Sequence, residues 1–480
     1  MSDAANNPLL GVEPTAHEQV WRELEARLAG DVDTSTGKVL GGVYKTDEET
    51  EALAADVYRR VLGANALWIN LYPSIASMEK DIVGAVASLL GGDEQVVGNV
   101  TSGGTESIML AVKTARDHAR ETKPKLGVPE IVLPITAHPA FHKAAHYLGM
   151  RVRMTPVDPE GFRADVDAMR EAITDDTVLL VGSAPNFSHG TIDPIEAIAA
   201  LAKERGLSCH VDACVGGLIL PFQRRIGEDL PAFDFALPGV TTISADLHKY
   251  GYAPKNASVV LYRNRELRRH AFFVCSGTTE YAVINPTVQS SRTGGPVAAA
   301  WALIRALGLR GYEALARKMI GGTREAIAGI NAIEGLRVLA DPETSMFTIA
   351  ADELNIFELA DLMADRGWEM VPQFAVGGSP PNLHVAMSPG SVPKVPELIA
   401  DLAACAAKLR ADGPSFDEAK LTEAAQEVAD QHPLQIMMKL APMLGLTGGI
   451  PDRLGPLNTL MNLLSAEKRD ALLTMYMNAS

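Results

Sequence analysis

Two hydrophobic periodicities divide this chain. Between residues 16 and 95, apolar residues recur every three to four positions, as in HEQVWRELEARL and TDEETEALAADVYRRVLG, and this spacing predicts amphipathic helices. From Val96 onwards, short β-branched runs alternate with helical stretches. Nearly continuous apolar runs, such as those in PEIVLPIT and TVLLVGSAPN, are typical of strands that are buried on both faces. The pattern therefore predicts an α/β domain with a largely parallel sheet covered by helices.

Breaks in this pattern predict four segments. Residues 1–95 form an N-terminal helical segment, and residues 96–310 form the large α/β domain. Weaker strands such as LRVLA, MFTIA and NLHVAMS, mixed with helices, predict a smaller α+β domain over residues 311–413. Residues 414–480 are a separate helical extension rich in Met and Leu. Such stripes more often pack a dimer interface than form a flexible lid or a lipid-facing surface, so packing is the favoured interpretation.

Composition and charge narrow the class of protein. The 480 residues are 47% hydrophobic and 21% charged, which is typical of a globular protein with a sizeable core. The formal net charge of −16 argues against a nucleic-acid partner and against adhesion to anionic lipid, because both need clustered basic side chains. The four cysteines are unpatterned, the N-terminus lacks a signal-peptide pattern, and the apolar runs are too short to span a bilayer. We therefore expect a cytoplasmic protein without stable membrane insertion.

Polar residues follow the predicted strands at the points where the strands end. They are His138 after PEIVLPIT, Ser183 after TVLLVG, Asp212 in CHVD, and the pair His248 and Lys249 after TTISAD. In an open α/β sheet, ligands bind beyond the carboxyl ends of the strands. We therefore expect these side chains to converge in one site.

The stretch TSGGTES, residues 101–107, leads directly into an amphipathic helix. Gly103 and Gly104 allow the backbone to approach a ligand closely. Thr105 and Ser107 add hydroxyl groups at the positive end of the helix dipole. This arrangement suits a phosphate, although a Ser/Thr-Gly stretch before a helix is as often a simple cap. The stretch is neither a Walker A loop nor a dinucleotide-binding fingerprint.

Three of these features together match the needs of one cofactor. Pyridoxal 5′-phosphate requires an anchor for its phosphate, a lysine that forms an imine, and a carboxylate that keeps the ring nitrogen protonated. The glycine-rich stretch, Lys249 and Asp212 supply this combination. A pocket of apolar and aromatic neighbours lowers the pKa of a lysine by desolvation, so we expect Lys249 to have a depressed pKa.

Two patterns raise the alternative of a metal site. His138, His142 and His146 are spaced by four, but Pro139 favours the first helical position and leaves His138 at the N-cap, facing the ligand. A second set has zinc-like residue types and consists of Cys209, His210, Asp212 and Cys214. Strand alternation puts the first of these cysteines on the face opposite the other three, and buried cysteines often pack as small apolar groups. We therefore expect no metal.

The motifs TSGGTES, AHPAFHKAAHYLGM, HVDACVGG, SADLHKYGYAPK and SSRTGG, in this order, resemble those of the group II decarboxylase superfamily of pyridoxal phosphate enzymes. Within it, the chain is most similar to sphingosine-1-phosphate lyases. The resemblance runs from about Gly41 to Leu309 and more weakly beyond. It implies fold type I, an aspartate aminotransferase-like large domain with a mostly parallel seven-stranded sheet, and a homodimer with shared active sites. It also implies a lyase that acts on a phosphorylated long-chain 2-amino alcohol.

The resemblance assigns roles to particular residues of this sequence. It makes Lys249 the imine-forming lysine, Asp212 the partner of the pyridine nitrogen, and His138 the residue stacked on the ring. Tyr44 and Lys255 correspond to positions that contact the substrate phosphate, and Tyr44 is also a candidate catalytic residue. The remaining cofactor-binding positions, the last of them contributed by the neighbouring subunit, are Gly103, Gly104, Thr105, Ser183, Ala213, His248 and Gly295.

Two substrate-binding positions depart from the family pattern. Trp68 in NALW replaces a phosphate-contacting histidine, and Val283 in VINPT replaces a tyrosine. Both changes remove polar donors from the substrate end, while the cofactor end is intact. Tyr281 and Tyr72 lie near these positions in the sequence, and their hydroxyl groups are alternative polar donors. We therefore expect the reaction type to be better determined than the substrate.

Three functions remain open at this point. The favoured one is retro-aldol cleavage of a β-hydroxy amine, phosphorylated or not, with Tyr44, His138 or a phosphate oxygen as the base. The second is decarboxylation of an amino acid with an apolar or aromatic side chain, for which Arg292 is a possible anchor of the carboxylate, although an arginine before two glycines also suits a purely structural role. The third is a non-catalytic protein that binds pyridoxal phosphate, against which the complete set of cofactor residues argues.

Overall fold

The structure is a computed structural model, and it describes residues 9, 14–279, 281–428, 431–432, 435–436 and 453–479. The chain divides into two compact units, Met1–Thr36 and Gly37–Ser480. The first unit contains helix α1 (His17–Leu28), which confirms the helix predicted from the stretch HEQVWRELEARL. In the described part of the chain, no helix is both long enough and apolar enough to cross a membrane.

The helices of the second unit alternate with strands as the periodicity predicts. Helix α2 (Glu48–Arg60) begins after Asp47, whose carboxylate accepts a hydrogen bond from the backbone N–H of Thr50. The helices that follow up to the end of the large sheet are α3 (Pro73–Leu89), α4 (Gly104–Thr122), α5 (Ala140–Leu148), α6 (Val166–Ala172), α7 (Ile195–Arg205), α8 (Leu220–Arg225) and α9 (Arg265–Arg268).

Seven strands form the central sheet, which confirms the predicted number. They are β1 (Val97–Thr101), β2 (Glu130–Pro134), β3 (Arg151–Thr155), β4 (Thr177–Ser183), β5 (Ser208–Asp212), β6 (Thr242–Ala245) and β7 (Ser258–Tyr262). Their order is β1-β7-β6-β5-β4-β2-β3, and β7 alone runs antiparallel to its neighbours in this sheet. Strand β3 lies at the edge, where its exposed Arg151 and Arg153 pair with the buried carboxylate of Glu130.

The register of the central strands brings their polar ends to one level. Ser183 at the end of β4 pairs with Asp212 at the end of β5, and Asp212 pairs with Ser244 of β6. Parallel strands share a direction, so their carboxyl ends meet at the same edge of the sheet. The residues that follow β2, β4, β5 and β6 are therefore gathered at this edge.

A second sheet of four antiparallel strands follows, in the order β10-β11-β13-β12. Its strands are β10 (Leu336–Val338), β11 (Met346–Ala351), β12 (Val371–Gln373) and β13 (Asn382–Ala386), and the preceding strands β8 (Phe273–Cys275) and β9 (Val283–Asn285) form a separate hairpin. The sequence VPQ of β12 escaped prediction because it is short and contains a proline. The long helix α10 (Gly295–Asn331) leads into this sheet and is kinked at Gly308, close to the predicted boundary at residue 310.

The C-terminal helices pack against the small sheet's helices. The remaining helices are α11 (Ile356–Ala364), α12 (Val395–Asp412), α13 (Glu418–Val428), α14 (Gly455–Leu463) and α15 (Ala466–Ala479). The carboxylate of Asp361 in α11 accepts hydrogen bonds from the N–H groups of Leu454 and Gly455 and so caps α14. Leu460 and Met461, in the Met- and Leu-rich extension, are buried within the chain. Most of the stretch IMMKLAPMLGL lies outside the described residues.

A substitution at Gly216, which follows β5, tests how tightly this edge of the sheet is packed. A Cβ on Gly216 would stand 2.0 Å from the carbonyl oxygen of Ala184 and 2.5 Å from Cδ1 of Leu220. Because a backbone oxygen in a packed core resists movement, we expect Gly216→Ala to lower the free energy of unfolding by about 1–3 kcal/mol. The matched variant Gly321→Ala, in α10 with open space around it, should be neutral or stabilising by up to about 1 kcal/mol. Urea titration measures both, and equal midpoints would contradict the prediction.

Candidate active site

Lys249 lies in the turn that follows β6. Its Nζ stands 3.0 Å from Oδ2 of Asp246, three residues earlier in the same turn. Asp246 is only 2% exposed, and the Lys249 side chain is 18% exposed. The two side chains therefore form a largely buried ion pair, and no sequence motif predicted a role for Asp246.

This ion pair sets the protonation of Lys249. Burial by itself lowers the pKa of Lys249, but the negative charge of Asp246, assisted by other neighbouring groups, outweighs burial and raises it. Burial likewise raises the pKa of Asp246, but the charge of Lys249, assisted by neighbouring hydrogen-bond donors, lowers it below its ordinary value. The prediction of a depressed lysine pKa was therefore wrong. It considered desolvation alone and missed the carboxylate in the same turn.

A cavity of about 330 Å³ lies at this edge of the sheet. The predicted cofactor-binding residues that line it are Gly103, Gly104, Thr105, His138, Ser183, Asp212, His248 and Lys249. Lining residues that the sequence analysis missed include Glu106, Phe187, Cys214 and Asp246. The convergence expected from the strand ends is therefore present in the structure.

The glycine-rich stretch meets the cavity at the N-terminus of α4. A Cβ on Gly104 would stand 2.8 Å from Sγ of Cys214, so a glycine is needed here for close packing within the chain, and its close approach to a ligand stays a prediction. The carboxylate of Glu106 accepts a hydrogen bond from the N–H of Ser102 at 2.6 Å and another from the N–H of Val288 at 2.7 Å. Glu106 therefore ties this stretch to a segment that lies far along the chain. Its place inside the motif TSGGTES was the only signal for this role.

Asp212 is held by a buried chain of hydrogen bonds. Its Oδ1 accepts from the N–H of Cys214 at 3.1 Å and from Oγ of Ser244 at 3.3 Å. Nε2 of His210 lies 3.2 Å from the same Ser244 hydroxyl, and Nδ1 of His210 lies 2.9 Å from Oγ1 of Thr242. Among the described residues, these hydrogen bonds to Asp212 all reach Oδ1. The other carboxylate oxygen is therefore left to accept a hydrogen bond from a ligand.

Two histidines that line the cavity use Nδ1 as a hydrogen-bond acceptor within the chain. Nδ1 of His138 accepts a hydrogen bond from the N–H of Ala140, and Nδ1 of His248 accepts one from the N–H of Ala257. Burial lowers the pKa of both histidines, and the nearby carboxylates oppose this effect without cancelling it. Each imidazole is therefore neutral at pH 7, with its proton on Nε2. Each can donate a hydrogen bond into the cavity.

Tyr44 and Lys255 lie together, close to Lys249. Neither residue lines the cavity. Nζ of Lys255 lies 5.4 Å over the Tyr44 ring and donates a hydrogen bond to the carbonyl of Gly42. Burial raises the pKa of Tyr44, and the charge of Lys249 opposes that rise. Burial also lowers the pKa of Lys255, and the like charge of Lys249 adds to this effect. A cation and a phenol are thus available beside the cavity.

Other predicted substrate residues are not brought to this cavity within the chain. Trp68 is 45% exposed and packs against Tyr281, with ring centroids 5.6 Å apart, and Val283 lies half-buried in β9. Nη1 of Arg292 pairs with Oε1 of Glu79 at 2.7 Å, and its side chain is 10% exposed. Arg292 is therefore held in an ion pair with Glu79, which agrees with a structural role and not with an anchor for a carboxylate.

Gly295 and Ala213 also lie outside the lining of the cavity. Gly295 begins α10, where a Cβ would stand 2.7 Å from the ring of Tyr58. Its contact with the cofactor of a neighbouring subunit stays a prediction. Ala213 is buried directly after Asp212, with its N–H bonded to the carbonyl of Val211.

The three histidines of the candidate helical metal site are spread apart. His142 and His146 are exposed on α5, whereas His138 lines the cavity. Helix α5 begins at Ala140, so Pro139 precedes the first helical residue instead of occupying it. In the described part of the chain, no group of three or more His, Cys, Asp or Glu side chains is arranged to hold a metal ion.

The residues of the cavity fit pyridoxal 5′-phosphate. The start of α4 and Nε2 of His248 supply donors for a phosphate, Asp212 supplies an acceptor for a protonated ring nitrogen, and Lys249 supplies the amine. Oδ1 of Asp246 is buried there without a hydrogen-bond partner, so the cavity also holds an acceptor that the described protein leaves unused. A lysine, a carboxylate and a phosphate-binding helix start at the carboxyl edge of this sheet define a pyridoxal phosphate enzyme of fold type I.

Comparison with known proteins agrees with this class. Residues 5–349 match the family described as the pyridoxal-dependent decarboxylase conserved domain, and residues 400–479 match the C-terminal putative HTH domain of pyridoxal-dependent enzymes. The chain therefore belongs to the pyridoxal-dependent decarboxylase family.

Within this family the chain is similar to sphingosine-1-phosphate lyases. The lyase of Oryza sativa subsp. japonica is 38% identical over 91% of this chain and 77% of its own length. That of Dictyostelium discoideum is 41% identical over 76% of this chain and 67% of its own. The solved structure of the Burkholderia pseudomallei lyase matches this chain with a TM-score of 0.78 and 36% sequence identity. The match covers 86% of this chain and 97% of the Burkholderia chain. The predicted resemblance, fold class and cofactor are confirmed, and the protein is a pyridoxal phosphate-dependent lyase.

We expect Asp246→Asn to destabilise the cofactor-free protein, because it leaves Lys249 buried without a counter-charge. Removing one partner of a buried pair costs about 3–5 kcal/mol. The control Asp352→Asn breaks an exposed pair with Arg337 and should cost less than about 1 kcal/mol. Urea titration of both variants at neutral pH measures the two costs. Equal losses would contradict the prediction.

The same pair makes this difference depend on pH. The pKa of Asp246 is lowered in the folded protein, so its contribution to stability is present above the ordinary aspartate pKa of about 4. That contribution is lost as the pH falls through the lowered value. The difference in unfolding free energy between the wild-type protein and Asp246→Asn should therefore shrink in acid.

Proposed function

We propose that this protein cleaves the Cα–Cβ bond of a phosphorylated long-chain 2-amino-3-hydroxy compound, giving an aldehyde and a phosphorylated amine. The arrangement of Tyr44 and Lys255 beside Lys249 carries this proposal, since a cation and a phenol suit a phosphate ester. Among the described residues lining the cavity there is no arginine to hold a carboxylate, and Arg292 is held by Glu79. Relatives named sphingosine-1-phosphate lyases support the same reaction.

Different residues of the cavity have different roles in this reaction. When bound, pyridoxal phosphate would supply an electron sink for the bond that breaks at Cα. Asp212 would accept a hydrogen bond from the protonated ring nitrogen, and His138, whose Nε2 carries a proton, would contact the ring. Nζ of Lys249, which Asp246 keeps protonated, is the group that returns a proton to Cα.

The protonation states of the candidate bases indicate which group accepts the β-hydroxyl proton. His138 carries its proton on Nε2 and uses Nδ1 to accept from Ala140, so it has no free acceptor facing the cavity. Tyr44 has a pKa raised by burial and is a phenol at neutral pH. A phosphate oxygen of the substrate therefore remains as the acceptor of the β-hydroxyl proton.

We further propose that the protein acts as a homodimer with shared active sites. The β8–β9 hairpin exposes Phe273, Val274 and Ile284, which are 59%, 62% and 62% exposed. Val288, in the segment that follows, is 57% exposed, and its N–H is bonded to Glu106 at the cavity. An apolar surface tied to the cavity in this way suits a second copy of the chain.

We also propose a cytoplasmic location and no nucleic-acid partner. All four cysteines are free thiols, which suits a reducing compartment. The net charge is −16, and residues 414–480, which overlap the putative HTH match, carry more acidic than basic side chains. This charge disfavours binding to a phosphate backbone.

Product analysis tests the proposed reaction. The purified protein loaded with pyridoxal phosphate should release aldehyde, and no carbon dioxide, from phosphorylated sphingoid bases, and Lys249→Ala should release none. Lys255→Met should lower kcat/KM for these substrates by about 10- to 150-fold, because a charged hydrogen bond is lost, and should affect unphosphorylated analogues less. Lys125→Met, at an exposed lysine away from the site, should have no effect.

Two results of this experiment would contradict the lyase proposal. Carbon dioxide without aldehyde from aromatic amino acids would indicate a decarboxylase. Normal cofactor absorption with no product from phosphorylated sphingoid bases, β-hydroxy amino acids or aromatic amino acids would indicate a binding protein.

Light scattering after size exclusion tests the dimer. The wild-type protein should have twice the mass of one chain, and Ile284→Arg should shift it towards the monomer, because a charge would be buried in the apolar interface. Tyr147→Arg, at a residue that is 63% exposed outside the hairpin, should leave the dimer intact. A monomeric wild-type protein with full activity would contradict shared active sites.

A further inference from the structure

A second cavity, of about 440 Å³, adjoins the one that contains Lys249. His138 and Phe187 line both cavities, and their rings stand edge to face with centroids 6.4 Å apart. Phe374 and the partly exposed Val376 also line the second cavity. We call this second cavity the side chamber. It continues the active-site cavity beyond the ring of His138.

The residues that line the side chamber are uncharged. None of the described residues lining it is Asp, Glu, Lys or Arg, and Ile135, Val157 and Phe162 contribute apolar wall. His189 stacks flat on Phe162 with centroids 4.0 Å apart, and burial lowers its pKa to about 4, so its ring is neutral at pH 7. A charged group would lose its hydration here with no charged lining residue to compensate for the loss, whereas an apolar chain would gain by leaving water.

Three buried polar atoms of the lining residues have no partner in the described structure. They are Oγ1 of Thr136, Nδ1 of His189 and Oδ1 of Asn382, and the last two residues are 2% and 1% exposed. Nε2 of His189 is already bonded to Oγ of Ser379 at 3.0 Å. Unpaired buried polar atoms in native proteins call for a ligand or water to satisfy them. They suit an isolated hydroxyl on an otherwise apolar chain.

The C-terminal helices hold the outer wall of the side chamber. The N–H of Ala375 donates to Oδ1 of Asn462 in α14 at 2.7 Å. The guanidinium group of Arg469 in α15 lies 4.9 Å over the ring of Phe374. These contacts give the wall a fixed position, so the side chamber has a defined volume.

We propose that the side chamber binds the uncharged carbon chain of the substrate and selects long apolar chains over short or acidic ones. The proposal rests on the proposed lyase function, in which this chain leaves as part of the aldehyde. Tyr44 and Lys255, assigned to the phosphate, line neither cavity, so the two ends of the substrate have separate sites. A substrate that reacts beside Lys249 can extend its chain past His138 and Phe187.

A chain-length series on the holoenzyme tests this proposal. We would measure kcat/KM for 2-amino-3-hydroxyalkyl phosphates from hexyl to octadecyl. In the wild-type protein kcat/KM should rise by roughly three- to fourfold per methylene until the side chamber is full. Val376→Trp narrows the rim, and Gln373→Glu adds a charge with little change in size. Each should lower the ratio of long-chain to short-chain kcat/KM by about tenfold, equivalent to roughly two methylenes.

The control variant is matched for exposure. Val128 lies outside the side chamber and is 46% exposed, against 48% for Val376. Val128→Trp should therefore keep the wild-type chain-length ratio. A loss as large as that of Val376→Trp would show that the ratio responds to any surface tryptophan, and would overturn the proposal.

Binding separates this proposal from the proposed reaction. Isothermal titration calorimetry with decyl phosphate and hexyl phosphate reports chain binding whether or not cleavage occurs. Weaker binding of decyl phosphate relative to hexyl phosphate in Val376→Trp and Gln373→Glu would support the side chamber even if no substrate released aldehyde. Unchanged ratios and affinities, in variants with wild-type melting temperature and cofactor content, would overturn it even if cleavage were observed.

Discussion

The active site depends on three parallel strands that end at one level. Ser183 pairs with Asp212, and Asp212 pairs with Ser244, across β4, β5 and β6. A slip of one residue would turn Asp212 to the other face of the sheet and break its hydrogen bond to Ser244. Buried apolar side chains on both faces of these strands prevent such a slip. The spacing between the carboxylate and the lysine after β6 is therefore a consequence of core packing.

Within this frame, one neighbour decides how Lys249 behaves. A lysine that forms an imine reacts as the neutral amine, whereas a lysine that reprotonates a carbanion acts as the ammonium ion. The buried carboxylate of Asp246 favours the ammonium ion against the effect of burial. The structure therefore equips Lys249 for proton donation, and the same carboxylate keeps its Nζ in the cavity. One ion pair links the stability of this edge of the sheet to the chemistry of the site.

The choice of reaction and substrate lies outside the cofactor residues. The groups that bind and activate pyridoxal phosphate serve both carbon–carbon cleavage and decarboxylation. The two reactions differ in which substituent of Cα is held out of the plane of the cofactor ring and in which residues surround that substituent. Here Tyr44 and Lys255 lie on one side, Arg292 is tied to Glu79, and the uncharged side chamber opens past His138. These surroundings, more than the shared motifs, support the proposed lyase reaction on a long-chain substrate.

The sequence by itself determined the alternation of strands and helices, the order of the motifs, and hence the cofactor with Lys249 and Asp212, because periodicity and strand ends are local signals. Only the tertiary structure decided the strength of the Asp246 pair, which depends on the depth of burial. It also decided that Glu106 bonds to a residue 182 positions away and that Arg292 bonds to one 213 positions away. Contacts across such separations follow from how whole elements pack, and no local pattern records that packing.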